Sequence, residues 1–416
     1  MIHPDHEPHG PGRRHVPVAP AVVSVTAGTG PTDGQVRHGH QGHREVLDHL
    51  HRCWQGQEAA DILAVVDPRW PVGELIESLQ ARAADRAPGA GLELVTFSSG
   101  TTGAPRGICR TMASWECSLA AFDRVTGLDR LPPGPVWIPG PLWGSLSLFA
   151  AFHAHRTGRP ALVTGQDPRA AVAVQCVPAT LPAVVASVRA GELPRLRTAV
   201  VAGDRLPGTW WREAAATGLR VVEYYGAAEL SFCAVRYDVD APLVAFPGVE
   251  LDIRDDVVWS RSPYQASGYL PGGRPGPLQR DEDGWATVGD EARWLGAQAV
   301  DNPQGPGLEV LGRGEEGITV GGHTISAGEV EDVLRSLPGV RDAAVVGLPH
   351  RLLGAQVAAL IVTNEHLAPL RTQARGMLSG PARPRRWRVA DRLPRTEAGK
   401  VDRVAVRAAL EPGARA

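Results

Sequence analysis

A chain of 416 residues is long enough for two or more domains, and its 43% hydrophobic and 21% charged residues are typical of a soluble globular protein. The net charge of −2 gives no electrostatic reason to expect a nucleic-acid partner. Five scattered cysteines without CxxC spacing indicate reduced thiols, and the opening residues lack an apolar signal segment. The longest uncharged stretch, 131–155, is crowded with proline and glycine. We therefore expect a cytoplasmic protein without a membrane span.

Residues 1–43 are predicted to form a disordered tail. Seven of the fourteen histidines lie within residues 1–44 among proline, glycine and charged residues, a composition typical of disorder, with adventitious metal binding as an alternative. Order is expected from Arg44 onward. A short helix there is followed by a strand at 60–67 and an amphipathic helix at 72–85.

A β-prone run at 92–97 leads into Ser-Ser-Gly-Thr-Thr-Gly-Ala-Pro-Arg-Gly, residues 98–107. Small residues allow backbone N–H groups to approach an anion closely, and the glycines can adopt dihedral angles that other residues avoid. The glycines are Gly100, Gly103 and Gly107, and the side-chain donors are Ser98, Ser99, Thr101, Thr102 and Arg106. This pattern predicts a loop that binds polyphosphate and differs from the Walker loop. A polar surface loop remains the alternative.

The remaining chain changes character twice. Apolar runs alternate with helical patterns between residues 111 and 225, which predicts βαβ crossovers and a largely parallel sheet with helices on both faces. Ligands bind beyond the carboxyl ends of such strands, and Tyr225 and Gly226 lie at one of these ends. Residues 240–311 indicate a small β-rich subdomain, and residues 313–416 a compact α+β domain. We therefore predict an N-terminal α/β domain over 44–312 and a mobile C-terminal lid over 313–416.

Five separated segments together resemble the adenylate-forming superfamily of acyl-CoA synthetases, peptide-synthetase adenylation domains and luciferases. They are SSGTTGAPRG (98–107), YYGAAEL (224–230), DGWATVGDEARW (283–294), LGRGEEGITVGGHTISAGEVE (311–331) and LPRTEAGK (393–400). One such match is weak evidence, but five in the family's order are specific. The short region before residue 94 is similar to that of compact members such as the o-succinylbenzoyl-CoA synthetases.

The resemblance implies a set of roles. Lys400 would bridge the carboxylate and the α-phosphate, with Thr101 and Arg106 also catalytic, and Glu229 would hold Mg²⁺. Other implied ATP-binding residues are Ser98, Ser99, Gly100, Thr102, Gly103, Gly203, Asp204, Tyr225, Gly226, Asp290 and Arg313. Glu315 would be the hinge, and Gly321, Gly322 and His323 would line a tunnel for CoA. Trp143, Gly144 and Tyr224 would lie at the acyl pocket.

The implied activity is an acid:CoA ligase that forms an acyl-adenylate from a carboxylic acid and MgATP, and then a thioester with CoA. Transfer to a carrier-protein thiol or an amine is one alternative, and a non-catalytic nucleotide-binding descendant is another. The second alternative arises because Ala228 and Thr324 stand where the family usually has other residues, and because the region before residue 94 is short. Aromatic residues near the acyl segments suggest a small or flat aromatic acid, although ordinary core packing explains them equally well.

Overall fold

The structure is a computed structural model that describes residues 21–25, 35–37, 42–67, 70, 72–86, 90–98, 106–273, 276–295, 306–313, 317–320, 323–396 and 399–411. The first described strands are β1 (Ala21–Val25), β2 (Gln35–Arg37), β3 (Ile62–Val66), β4 (Glu93–Ser98) and β5 (Arg106–Thr111). The first helices are α1 (Gly42–Trp54), α2 (Val72–Ala84), α3 (Met112–Glu116) and α4 (Leu119–Thr126).

Strand β1 corrects the prediction of a disordered tail through residue 43. It pairs antiparallel with β3 along its whole length, and Val22 and Val23 are buried. Val23 packs in one core cluster with Ile62, Leu79 and Phe97. Residues 21–25 and 35–37 are therefore strands of the first sheet, and the last two residues of the segment, 42 and 43, begin α1.

The second sheet matches the predicted alternation of strands and helices. Its strands are β6 (Val136–Ile138), β7 (Ala161–Val163), β8 (Ala173–Cys176), β9 (Thr198–Ala202), β10 (Arg220–Ala227), β11 (Ser231–Arg236) and β12 (Val244–Ala245), and its helices are α5 (Ser145–Arg156), α6 (Leu181–Arg189) and α7 (Gly208–Ala215). The order β12-β11-β10-β9-β8-β6-β7 is parallel from β10 to β7 and antiparallel at β11 and β12.

A third sheet corresponds to the predicted β-rich region. The strands here are β13 (Glu250–Arg254), β14 (Val257–Arg261), β15 (Gly268–Tyr269), β16 (Gln279–Arg280), β17 (Ala286–Thr287), β18 (Asp290–Leu295) and β19 (Gly307–Arg313). Strand β15 leaves this group and pairs with β5, so the first sheet has the order β15-β5-β4-β3-β1-β2. Among the described strands of that sheet, β3 and β4 pair in parallel, and β4 pairs antiparallel with β5.

The last described elements form a fourth sheet with three helices. They are β20 (Gly317–Val320), β21 (His323–Ser326), α8 (Ala327–Ser336), β22 (Val340–His350), β23 (Gly354–Thr363), α9 (Leu367–Met377), β24 (Arg386–Val389) and α10 (Arg403–Leu410). Every strand of this sheet comes from residues 317–389 and none from the earlier sheets. The domain division at residue 312 stays a prediction. Over the described residues, the helices are all too short or too polar to cross a membrane.

Candidate active site

A cavity of about 1710 Å³ lies where the second and third sheets meet the C-terminal elements. Its wall includes Arg106, Tyr225, Glu229, Asp290 and Lys400. These five side chains come from four of the segments that the sequence singled out, separated by almost three hundred positions in the chain. The fold therefore brings them to one cavity.

The end of β10 is shaped by a close backbone approach. The register with β11 shifts between Tyr225 and Gly226, and a Cβ atom at Gly226 would lie 1.8 Å from the carbonyl oxygen of Ser231. Ser231 itself has a positive φ of 59°, which is uncommon for a residue with a side chain. Glycine at 226 is therefore a steric requirement of the turn that carries Glu229.

Asp290 presents a buried carboxylate at the start of β18, with 8% of the residue exposed. The Tyr225 hydroxyl donates to its Oδ2 atom at 2.6 Å. Across the β18–β19 ladder, Asp290 is directly opposite Arg313, whose side chain is outside the described set. Asp290 and Arg313, the two residues predicted to bind the ribose, are thus paired on neighbouring strands.

Glu229 is also buried, with 4% exposed. The Tyr269 hydroxyl donates to its Oε1 atom at 2.9 Å, and the N–H of Leu278 donates to the Tyr269 oxygen at 3.0 Å. Burial, followed by the nearby Glu229 charge, raises the pKa of Tyr269, which stays a hydroxyl donor. The Arg106 guanidinium lies 6.0 Å from the Tyr269 ring centre.

Arg110 supports this turn, and the sequence analysis missed it. The side chain is completely buried and donates to the Ala228 carbonyl at 2.6 Å, the Ser231 hydroxyl at 2.9 Å and the Tyr264 carbonyl at 3.2 Å. Burial lowers its pKa to about 9, although the charge of Glu229 opposes the shift. A cation inside the apolar-aromatic run ICRTMASW was the signal that could have identified it.

Lys400 enters the cavity on a tight hairpin. The Thr396 N–H donates to the Lys400 carbonyl at 2.8 Å, and Gly399 has a positive φ of 81°. A Cβ atom at Gly399 would lie 2.8 Å from a methyl group of Val177, so the hairpin packs closely against the second sheet. Lys400 is also the only lysine in the sequence, whereas the other 42 basic residues are arginine. The single lysine is therefore a second sequence signal, besides the LPRTEAGK segment, that Lys400 has a special role.

Several other predicted site residues line the same cavity. Gly203, which has a φ of 94°, and Asp204 follow β9, while Trp143, Gly144 and Tyr224 lie at the start of α5 and on β10. For Ser98 and His323 the structure describes the backbone alone: Ser98 ends β4 opposite Arg106, and His323 begins β21. Ser99, Gly100, Thr101, Thr102, Gly103, Glu315, Gly321 and Gly322 lie outside the described residues.

Two family models match the chain. That of AMP-binding enzymes covers residues 22–270, and that of the AMP-binding enzyme C-terminal domain covers residues 329–400. The chain belongs to the AMP-binding enzyme family. The first match begins at residue 22, inside β1, in agreement with the place of that strand in the first sheet.

Among curated relatives, a probable 2-succinylbenzoate–CoA ligase of Mycobacterium tuberculosis is 33% identical over 339 residues, 75% of this chain and 83% of the relative. A salicylyl-CoA synthase/salicylate adenylyltransferase of a Streptomyces species is 30% identical over 396 residues, 85% of this chain and 68% of the relative. The solved amide bond synthetase McbA of Marinactinospora thermotolerans is similar with a TM-score of 0.63 and 26% identity, over 76% of this chain and 68% of that chain.

These comparisons confirm the family predicted from the motifs, the α/β fold class and the class of AMP-forming acid–thiol ligase. An o-succinylbenzoate-CoA synthetase of Bacillus subtilis shares the fold with a TM-score of 0.62 at 22% identity, over 75% of this chain and 68% of that chain.

Proposed function

We propose that this protein activates a carboxylic acid with MgATP to an acyl-adenylate, and then transfers the acyl group to the thiol of CoA. The observation that carries the proposal is the convergence of Lys400, Glu229 and Asp290 on one cavity in a chain of this family. Relatives named as CoA ligases support the choice of acceptor.

In the first half-reaction, a carboxylate oxygen attacks the α-phosphorus and pyrophosphate leaves. Both reactants are anions, so the reaction needs cations and aimed donors more than covalent catalysis. Lys400 would bridge the carboxylate and the α-phosphate. Arg106, with Ser98, Ser99, Thr101 and Thr102 and the backbone of Gly100 and Gly103, would hold the departing pyrophosphate.

The nucleoside would lie between β10 and β18. Tyr225 would stack on adenine with Gly203, Asp204 and Gly226 at its edges. Asp290 would accept hydrogen bonds from the ribose hydroxyls, assisted by Arg313. The contact between the Tyr225 hydroxyl and Asp290 supports this arrangement because it fixes the carboxylate beside the ring.

The donor set at Glu229 fits Mg²⁺, a hard cation that prefers oxygen ligands. Tyr269 donates to Oε1, and among the described residues no hydrogen-bond donor contacts Oε2. Oε2 would therefore hold the ion. Bound there, Mg²⁺ would neutralise charge on the phosphate oxygens. Arg110 would keep Glu229 in place through the Ala228 carbonyl and the Ser231 hydroxyl.

In the second half-reaction, the CoA thiol attacks the acyl carbonyl and AMP leaves. The C-terminal segment would turn about Glu315, which would move Lys400 away and bring Gly321, Gly322 and His323 to the thiol. Hinges of this kind are a few loop residues that absorb a large dihedral change.

The test is acid-dependent release of pyrophosphate from ATP by the full chain, with and without CoA. The proposal predicts release with a suitable acid and a thioester product only when CoA is present. An amide formed from an added amine would instead favour the acceptor of the similar amide bond synthetase. ATP binding without release for any acid would favour a non-catalytic nucleotide-binding protein.

A further inference from the structure

Six aromatic side chains line one part of the cavity, which we call the aromatic slot. They are Phe97, Trp115, Trp143, Phe149, Tyr224 and Phe232. The slot adjoins the reacting centre at two points. Phe97 immediately precedes Ser98, where the predicted phosphate loop begins, and Phe232 lies on β11, three positions after Glu229. A carboxylate placed at the α-phosphate would therefore direct the rest of the acid into this slot, an argument that rests on the proposed function.

The rings of the slot are fixed by one another. Phe149 contacts Trp115 and Phe232 edge-to-face at centroid distances of 5.4 and 4.9 Å, and Tyr224 contacts Phe232 in the same manner at 5.0 Å. On the other side, Trp143 is 5.3 Å from Trp70. Edge-to-face and offset arrangements are also those in which a bound aromatic ring is most stable against such walls.

Arg110 and Arg236 are already engaged within the fold. Arg110 lies over the Trp115 ring at 4.8 Å, is completely buried, and donates to the turn that carries Glu229. Arg236, on the same strand as Phe232, forms an ion pair with Glu223. Arg106, which also lines the cavity, is assigned to the departing pyrophosphate in the proposed function. A second carboxylate of the substrate, buried between the rings, would therefore be desolvated without a cation of its own, which is costly.

We infer that the acid is an aromatic monocarboxylic acid of the benzoate type, with no charged group besides the carboxylate that reacts, rather than an alkanoic acid or a dicarboxylic acid. The aromatic walls of the slot can pack on a single flat ring. The carboxylate that reacts is the one charged group of the acid for which the reacting centre provides partners. The 2-succinylbenzoate named for one relative carries two carboxylates and would be a poor substrate here.

The first test compares benzoate, octanoate and 2-succinylbenzoate in acid-dependent pyrophosphate release. We expect kcat/KM for benzoate to exceed the other two by at least about tenfold, the scale of a few methylenes or an unpaired charge in a pocket. A preference for octanoate would overturn the aromatic assignment, a preference for 2-succinylbenzoate would overturn the monocarboxylic assignment, and either would leave the proposed function intact.

Gly144 allows the slot to be narrowed without backbone strain. A Cβ atom there meets nothing nearer than the Pro141 carbonyl oxygen at 3.4 Å, so Gly144→Leu should fold and reduce the space of the cavity. We expect KM for benzoate to rise at least about tenfold with the Kd for ATP unchanged. Gly376→Leu, on an exposed part of α9 with open space around its Cα, is the matched control and should change neither value. An unchanged KM in Gly144→Leu would contradict the location of the slot.

A second readout does not need turnover. Calorimetry with non-hydrolysable benzoyl- and octanoyl-adenylate analogues should give the tighter Kd for the benzoyl compound. If no acid releases pyrophosphate, the proposed function fails. The relative affinity of the two analogues still decides the aromatic assignment, and tighter binding of the octanoyl analogue would contradict it.

Discussion

At the scale of single residues, the Asp290 carboxylate gives the clearest test of nucleotide binding. If it accepts hydrogen bonds from the ribose, Asp290→Ala should weaken ATP binding by about 1.5–3 kcal/mol for each bond lost, since the acceptor is charged. Calorimetry on the folded variant measures the change in Kd. Tyr225→Phe removes the hydroxyl that donates to Asp290 but keeps the ring, and should cost less. An unchanged Kd in Asp290→Ala would remove the ribose role.

The sequence was sufficient to name these residues as candidates, but not to predict the contacts that support them. YYGAAEL and VGDEAR are local patterns that a sequence displays directly, so Glu229 and Asp290 could be named from them. Arg110 is joined to Ala228 and Ser231 by contacts over more than a hundred positions, and a single sequence does not reveal such pairs. The same reason explains why Phe149 and Phe232 are recognised as neighbours only in the folded chain.

At the scale of elements, strand β1 is expected to be essential to the first sheet. Val23 is completely buried between β3 and α2, so Val23→Asp would place an unpaired charge in the core. We expect a loss of about 3 kcal/mol or more in the free energy of unfolding, which is the range for such changes. Ala81→Asp, on the exposed face of α2, is the control and should cost about 1 kcal/mol or less. Chemical denaturation measures both, and equal small losses would mean that β1 contributes little.

The sequence misled at β1 for a physical reason. Most of its neighbours in residues 1–44 are proline, glycine, histidine and charged residues, and this composition outweighs a five-residue apolar run. The strand is stable because it pairs with β3, almost forty positions later in the chain. By contrast, the strands from β6 to β10 alternate regularly with helices, and this periodicity predicted them correctly.

At the scale of the whole molecule, the C-terminal elements rest on the earlier sheets through charged contacts. Arg205 pairs with Asp332 at 2.8 Å, and Arg293 donates to both Glu309 and Glu329. Gly399, the residue before Lys400, packs closely against Val177. We propose that these contacts hold the arrangement in which the adenylate forms, because they keep Lys400 at the cavity.

One of these contacts should depend on pH. Burial and a hydrogen bond to Glu309 raise the pKa of Glu329, although Arg293 and Arg205 oppose the shift. A raised pKa means that the folded state binds the Glu329 proton more tightly than the unfolded state does. The protonated carboxyl therefore contributes stability at low pH, and this contribution is lost as the pH rises through the raised pKa, above the ordinary value of 4.5. The melting temperature of Glu329→Gln should therefore exceed that of the wild type at pH values between the raised pKa and neutrality. Glu192→Gln, on an exposed turn, should follow the wild type. Parallel curves for all three proteins would contradict the assignment.

The account depends most on Lys400, and the two half-reactions measured separately test it. In Lys400→Ala, acid-dependent pyrophosphate release should fall about a hundredfold or more, the scale for loss of one aimed donor in a transition state. Thioester formation from a pre-made acyl-adenylate and CoA should continue at close to the wild-type rate, because Lys400 would have left the cavity by that step. This second rate is also the control for folding. Equal loss in both half-reactions, or undiminished pyrophosphate release, would contradict the account.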